Sequence, residues 1–471
     1  MKFLLVILSF SLFIVSCAVK SPASRVGDVP GTPPPRWIAT KEAQAGIDTR
    51  WVRRIGGSEL EGLVANALGA NPDMRIAGER VFRALTAAKT AGANLKPQVT
   101  AGGNGSRTKQ VFVGFPFGDG GVPSTIFNTY GANLTVSWEP DIWGIRRAGQ
   151  EALIADAQAE ANAYRAARAS LAAQVTRAWL ALTESNEQLA LTSKNIALLK
   201  KTEEIVKDRF MNALTDEGGS VSELRLAQSE RAAQEARLAE QAGDREVAIR
   251  QIEILMGQYP AGVVRSESTL PKVPPVPPAG LPSELLLRRP DILEAERRFA
   301  SSGSLVKQAR LAYYPSFALT ATGGTTTDSL RDIFNSDFGV WSLAGAVTQP
   351  IWANGALRLK EEELKSSERS MLAELQGTVV KAFGEVEQAL VAEHFFEKRT
   401  EALENAEKAA VNAAEAAANE YSEGTGDALT LINTLRNQVD LTSQVVTLRR
   451  LRLDNRVTLH LALGGDYRPG K

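Results

Sequence analysis

Two stretches of this chain contain no proline and almost no glycine, over a length no compact domain can enclose. Residues 144–212 have no proline and no glycine after Gly149; residues 356–421 have no proline and only Gly377 and Gly384. From Ala148 to Ala181, 14 of 34 residues are alanine. Alanine has the highest helix propensity, and its small side chain lets neighbouring helices approach closely. A helix of ~68 residues rising ~1.5 Å per residue is a rod roughly 100 Å long. Such a rod needs partners of comparable length. Shorter helical patterns at 58–93, 220–258, 283–311 and 427–463 supply them, stacked in pairs beside the long helices. Pro72, directly after Asn71, predicts a start or break inside the first of these.

The chain also repeats itself. Trp138-Glu139-Pro140-Asp141-Ile142-Trp143-Gly144 has a counterpart in Thr348-Gln349-Pro350-Ile351-Trp352-Ala353-Asn354-Gly355. Each closes an alternating stretch and opens a long helical one. Each long stretch ends at an aromatic, Phe210 or Tyr421, 67 and 69 residues after Trp143 and Trp352. A shorter helix follows, ending at Leu255-Met256-Gly257 or Leu463-Gly464-Gly465. The proline-rich segment 271–282 separates the halves. The organisation read from this is a first repeat over 58–270, a linker over 271–282 and a second repeat over 283–471.

Four segments alternate with period two. Tyr130, Ala132, Leu134, Val136 and Trp138 interleave with Gly131, Asn133, Thr135 and Ser137. Trp341, Leu343, Gly345 and Val347 interleave with Ser342, Ala344 and Ala346, and Phe317, Leu319 and Ala321 with Ser316, Ala318, Thr320 and Thr322. A weaker alternation runs from Pro97 to Gly103. One apolar and one small or polar face fits a membrane strand with lipid outside and water inside; it also fits a half-buried soluble hairpin. In lipid, four strands cannot close a barrel and open edges are not tolerated, so several chains would share one. Residues 107–127 and 324–339, rich in Gly, Ser, Thr and Asp, are the expected external loops.

Residues 1–16 read as a signal peptide. Lys2 precedes an apolar run from Phe3 to Val15, broken only by Ser9 and Ser11 and too short to span a bilayer comfortably. It ends Ile14-Val15-Ser16-Cys17, which resembles the lipobox of bacterial lipoproteins. That resemblance implies cleavage before Cys17, lipids attached to it, and, with Ala18 following, an outer-membrane destination. Residues 17–57 are then a lipid-anchored tether, extended where Pro22, Pro30 and Pro33-Pro34-Pro35 fall. Composition excludes other classes. Lys+Arg and Asp+Glu each number 54, so no basic surplus points to nucleic acid. His394 and His460 are the only histidines and Cys17 the only cysteine, which leaves almost nothing to build a histidine-ligated metal site and nothing for a cysteine one, and neither histidine sits near a nucleophile motif. No enzyme and no cofactor, beyond a covalent lipid on Cys17, is expected.

Taken together, these motifs resemble the TolC/OprM family of outer-membrane efflux channels, in its lipoprotein branch. The most specific pieces are Arg288-Arg289-Pro290-Asp291-Ile292 followed by Ala295-Glu296, Ala309-Arg310-Leu311-Ala312-Tyr313-Tyr314-Pro315, Asn71-Pro72-Asp73, the Trp138–Gly144 run, and Tyr421-Ser422-Glu423-Gly424 with Leu429. The resemblance implies an α+β membrane protein: a homotrimer with a twelve-stranded barrel, four strands per chain, continued by a long α-helical tunnel through the periplasm. It implies a periplasmic adaptor and an inner-membrane pump, most often of the resistance-nodulation-division class, as partners, together with outer-membrane lipid.

It also implies a gate at the periplasmic tip, where the turns at 211–222 and 422–427 join the long helices to their return partners. By motif Tyr421 matches a tyrosine of the closing network, Leu429 a constricting apolar position and Asn433 a position usually held by Asp; Asp427 is the next candidate. Ser422 and Arg225 stand where Arg and Asp are common in the family. Residues four apart share a helix face, so Leu429 and Asn433 would point the same way. Arg289, Pro290 and Asp291 read as structural: proline suits the first helical position and an acid the first turn. Trp143 and Trp352 fit either an interface belt or packing beside the strands. A duct for type I protein secretion or metal-cation efflux shares these features. A periplasmic coiled-coil lipoprotein shares the helices but predicts no barrel.

Overall fold

In the computed structural model, residues 19–25, 27, 34–39, 50–113, 123–212 and 220–465 are described. The signal segment, Cys17 and the 213–219 connection, with Thr215–Gly219, lie outside them. The elements in order are α1 (Trp51–Ala70), α2 (Pro72–Ala93), β1 (Gln98–Val111), β2 (Ser124–Trp138), α3 (Ile145–Asn212), α4 (Val221–Leu255), α5 (Pro282–Arg288), α6 (Pro290–Leu311), β3 (Ser316–Thr327), β4 (Gly339–Thr348), α7 (Ala356–Glu423) and α8 (Ala428–Ala462). Helices α3 and α7 are each 68 residues long, α4 and α8 each 35, and α2 and α6 each 22. No described helix is long and apolar enough to cross a membrane.

The chain divides into two compact units. One comprises residues 1–29, 81–160 and 295–375 and contains the sheet. Its strands are antiparallel in the order β1-β2-β3-β4, leaving β1 and β4 as edges among the described residues. The register aligns the apolar positions of all four. Val136 lies opposite both Val99 and Ala321, Leu134 opposite Ala101 and Gly323, and Leu343 opposite Ala321. Directly opposed residues share a face, so Val99, Leu134, Val136, Trp138, Leu319, Ala321, Leu343 and Val347 form one apolar face. Thr100, Asn133, Thr135 and Thr322 lie on the other, where the hydroxyls of Thr135 and Thr322 meet at 3.3 Å.

The strands run further than their alternation suggests. β1 reaches Val111, β2 starts at Ser124 and β3 continues to Thr327. The connections between paired strands therefore shrink from the expected 107–127 and 324–339 to 112–123 and 328–338. Gly-, Asn- and Thr-rich ends carry no apolar periodicity, but their backbone groups pair all the same. In the second connection Thr325, opposite Ala132 on the apolar face, donates its hydroxyl to the Ile333 carbonyl and draws the loop back over that face.

The early residues of this unit make side-chain contacts with its helices. The Arg25 amide donates to Glu296 at 2.6 Å, its guanidinium pairs with Glu368 at 2.6 Å, and that group lies 3.8 Å above the Phe299 ring. The Trp143 indole stacks on Tyr314 and donates to the Pro315 carbonyl, whereas Trp352 is exposed and donates to Asn354.

The second unit comprises residues 30–80, 161–294 and 376–471. Here too the early residues pack against helices. Trp37 is buried and donates to the Ala279 and Gly280 carbonyls, and the amides of Ile38 and Ala39 donate to Glu387. Helix α1 starts at Trp51 rather than 58. It tolerates two non-helical residues, Gly56 and Gly57, because Trp51, Val52 and Ile55 are driven into a core with Trp179, Ile249, Ile252 and Val457. A charged cluster lies between α7 and α8. Glu393 accepts from Arg452 at 2.8 Å and from Arg456 at 2.9 Å, while Arg456 also donates to the Pro274 carbonyl at 2.9 Å. Arg456 is 1% exposed, and burial lowers its pKa despite the neighbouring Glu393.

The two 22-residue helices each begin at a broken joint. A residue before proline is pushed to extended backbone: Asn71 has ψ 128 and Arg289 ψ 122. The predicted helices 58–93 and 283–311 are therefore split at these residues. Each uses its side chain to bind a carbonyl at the end of the return helix of its own half. Asn71 Nδ2 donates to the Leu255 carbonyl at 2.9 Å, and Arg289 Nη1 to the Ala462 carbonyl at 3.0 Å. Beyond these ends stand Gly257 (φ +67) and Gly464 (φ +78). A Cβ at Gly257 would meet the Ala70 carbonyl oxygen at 2.7 Å; at Gly464 the nearest atom would be Arg288 C at 3.1 Å. Gly257→Ala combines a left-handed backbone with a clash on main chain and is expected to cost about 2–3 kcal/mol. Gly464→Ala should cost less. Thermal midpoints of the purified proteins read the difference, and equal midpoints would refute it.

Candidate functional site

The tip residues lie where four helix ends meet: the C-termini of α3 and α7 and the N-termini of α4 and α8. Their apolar contact comprises Leu199, Val206, Ala414, Ala417, Tyr421, Ala428, Leu431 and Leu435, with Leu224 packed against it. Helix α7 ends where Gly424 takes φ +83, which lets the amides of Thr425 and Gly426 return to the Glu420 carbonyl, each at 3.0 Å. This 6→1 closure satisfies carbonyls a helix end leaves unpaired. Asp427 starts α8. One carboxylate oxygen accepts the Thr430 amide at 2.9 Å and the other the Thr430 hydroxyl at 2.7 Å, and these bonds hold its pKa below the usual aspartate value. Ser220 and Glu223 form a reciprocal capping box at the start of α4.

Tyr421 is 3% exposed. The Arg209 guanidinium lies 4.0 Å above its ring and donates to its backbone carbonyl, so one cation closes the α7 terminus and covers the aromatic face. Burial raises the Tyr421 pKa, partly opposed by Arg209. Leu429 and Asn433 lie elsewhere. Helix α8 turns Ala428, Leu431, Ile432 and Leu435 inward, leaving Leu429 52% exposed and Asn433 exposed one turn further along. The structure thus brings Tyr421 and Asp427 into the packed turn and sets Leu429 and Asn433 together on the outward side. Among the described residues, Arg225 bonds Gln228 of its own helix. Nothing in the sequence pattern points to Arg209; a basic residue in the last turn of a helix is common, and its target lies 212 positions away.

The Arg289-Pro290-Asp291 motif forms a second polar centre. Arg289 holds Asp291 with both arms, Nε at 2.9 Å and Nη2 at 2.7 Å, and Nη2 also pairs with Glu385 at 2.7 Å. Burial works to lower the Arg289 pKa, but the two carboxylates outweigh it and raise it. A cleft of about 210 Å³ beside the motif is bounded by Ser170, Glu385, Leu461 and Gly464. With both carboxylates and the helix-end carbonyl engaged by one guanidinium, the arrangement is a joint.

The chain matches a family model described as "Outer membrane efflux protein" over residues 63–258 and 281–465. It is similar to the probable efflux pump outer membrane protein TtgC of Pseudomonas putida, with 28% identity over 443 residues covering 92% of this chain and 88% of that protein. It is also similar to the pyoverdine export outer membrane protein OpmQ of the same species, at 27% over 473 residues, covering 98% and 97%. Among solved structures, the outer-membrane channel OprN superposes with a TM-score of 0.85 at 24% identity, over 96% of this chain and 100% of that one. At that identity the likeness speaks for the fold.

Proposed function

Because this chain belongs to the outer membrane efflux protein family, we propose that it is the outer-membrane duct of a tripartite export system, conducting small molecules outward. One observation carries the reading. The sheet has one continuous apolar face and one small, polar face, with edges at β1 and β4. In a bilayer the apolar face turns to lipid and the edges must be paired, so further copies complete the barrel. Three copies give twelve strands, and the long helices α3 and α7 continue as a periplasmic tunnel. The equal helix lengths in the two halves support an internal duplication. A lipid on Cys17 anchors the N-terminus. A periplasmic adaptor and an inner-membrane pump of the resistance-nodulation-division type supply the cargo, whose class follows the efflux and pyoverdine-export relatives. Such a duct has no catalytic step.

The tip forms the gate. Tyr421 and Arg209 lock the end of α7, Asp427 fixes the start of α8, and three copies of Leu429 meet at the axis with Asn433 one turn away. A ring of asparagines is neutral and collects no cations, whereas three aspartates held close invite a counterion. In planar bilayers the unmodified channel should be only weakly blocked by divalent cations from the periplasmic side. Asn433→Asp should strengthen that block several-fold, and Leu429→Ala should raise resting conductance. Strong block of the unmodified channel, unchanged in Asn433→Asp, would place the constriction elsewhere. Absence of any conductance would overturn the duct reading and favour an anchored helical protein.

A further inference from the structure

The apolar face of the sheet ends in charge on one strand. Along that face β1 presents Val99, Ala101, Gly103 and Gly105, then Arg107 and Lys109. Tyr130 lies over Gly105, its ring carbons 3.2 and 3.4 Å from where a Cβ would stand. Arg107 lies opposite Asn128 and Lys109 opposite Ile126, so neither faces a carboxylate across the ladder. Both cations are exposed, and neither makes an ion pair or side-chain hydrogen bond among the described residues.

Their height follows from the strand. From Val99, beside the helix-joined end of the sheet, Arg107 is eight residues along and Lys109 ten. At ~3.4 Å per residue and a tilt of ~40° they stand roughly 21 and 26 Å above it. The apolar band of an outer-membrane barrel is ~25 Å tall. On the duct reading, on which this inference rests, the two cations reach the headgroup level of the outer leaflet on the lipid side.

Below them the same face holds a groove. The loop drawn back by the Thr325–Ile333 hydrogen bond sets Ile333 and Phe334 over Ala101, Leu134 and Gly323, leaving about 360 Å³. Phe334 is 89% exposed. The glycine at 323 keeps the groove floor low, and its walls are apolar apart from Asn133 and Thr325, whose hydroxyl is taken up by the Ile333 carbonyl. An exposed aromatic, an apolar slot and two unpaired cations beyond it match one kind of occupant: an anionic amphiphile with phosphate outermost and acyl chain inward.

We propose that this face binds an outer-leaflet phosphoglycolipid, with its phosphate held by Arg107 and Lys109 and an acyl chain lying in the Ile333–Phe334 groove. The full-length protein in phosphatidylcholine nanodiscs should bind bis-phosphorylated lipid A. Each cation near an anionic lipid contributes about fivefold, so Arg107→Ala/Lys109→Ala should weaken binding on the order of 30-fold. Arg107→Lys/Lys109→Arg should keep it. The unmodified protein should bind dephosphorylated lipid A as weakly as the double alanine variant binds the phosphorylated form, an arm that needs no mutation. Phosphatidylglycerol at equal phosphate should not substitute. Undiminished binding by the double alanine variant, equal binding of dephosphorylated lipid A, or equal binding of phosphatidylglycerol would each overturn the proposal. Channel conductance separates the two readings. A double alanine variant that conducts normally yet loses lipid A supports the site. An unmodified chain that never conducts removes the barrel and this proposal with it, whereas a conducting chain indifferent to lipid A removes this proposal alone.

Discussion

Glu393→Ala should be among the most destabilising single substitutions in the chain, at about 3–5 kcal/mol. Glu393 is the carboxylate between two guanidiniums, accepting from Arg452 at 2.8 Å and pairing with Arg456 at 2.6 Å. Arg456 is almost wholly buried, and its pKa is already lowered with Glu393 in place. Removing the carboxylate takes the nearest counter-charge from a buried cation and leaves only the weaker influence of Glu397. The cost is the penalty of an uncompensated buried charge; the net worth of the intact pair is smaller. The double replacement Glu393→Leu/Arg456→Met should therefore recover most of the loss, because apolar side chains of similar volume can replace a buried pair at little cost. Thermal midpoints of the purified single and double variants decide the matter. A double variant as unstable as Glu393→Ala would show that Arg456 matters chiefly through its bond to the Pro274 carbonyl.

Arg289→Ala should follow at about 2–4 kcal/mol, a smaller value because Asp291 and Glu385 keep some contact with water. One side chain is lost to three partners: Asp291, Glu385 and the last carbonyl of α8. Arg289→Lys keeps the charge but not the two-armed geometry and should fall between. The effect should depend on pH. Burial works to raise the Asp291 pKa, but the hydrogen bonds and charge of Arg289 outweigh it and leave it below the usual aspartate value. A depressed carboxylate contributes stability that is present above its unfolded pKa of ~3.9 and is lost as pH falls through the folded value. The gap between wild type and Arg289→Ala should thus be full at neutral pH and narrow below about pH 4. A gap unchanged across that window would mean that the bond to the Ala462 carbonyl, which does not titrate, carries the effect.

The helices were legible because proline and glycine mark their ends over long distances. Expected spans of 144–212 and 356–421 became Ile145–Asn212 and Ala356–Glu423. The joints at Asn71 and Arg289 were legible in part: Pro72 announces its own break, whereas Pro290 at the head of α6 hides the short helix before it. Strand cores were readable from alternation, but strand ends were not, since Gly102, Asn104 and Ser106 are chosen by room and backbone pairing. The docking points of the early residues are illegible for a similar reason. Prolines suggest an extended chain but do not show that Trp37 and Arg25 have sites waiting on distant helices. At the tip, Tyr421 and Asp427 enter as gate candidates through the family resemblance, and the structure adds that Asp427 caps α8. Arg209 and the buried Glu393 cluster depend on which helices come together, which no local pattern records.

The matched helix lengths bear on how such a chain can change over generations. Each residue of a helix adds ~100° of turn and ~1.5 Å of rise. Ala414, Ala417 and Tyr421 are buried on one side of α7. Deleting a single residue upstream would present Glu415, Ala418 and Ser422 in their place. A substitution disturbs one position, but a deletion rotates every position beyond it, so the two are not comparable accidents. The halves can drift in side chains while 68 stays paired with 68 and 35 with 35. Packing of this kind therefore constrains the count of residues in a helix more tightly than the identity of any one of them.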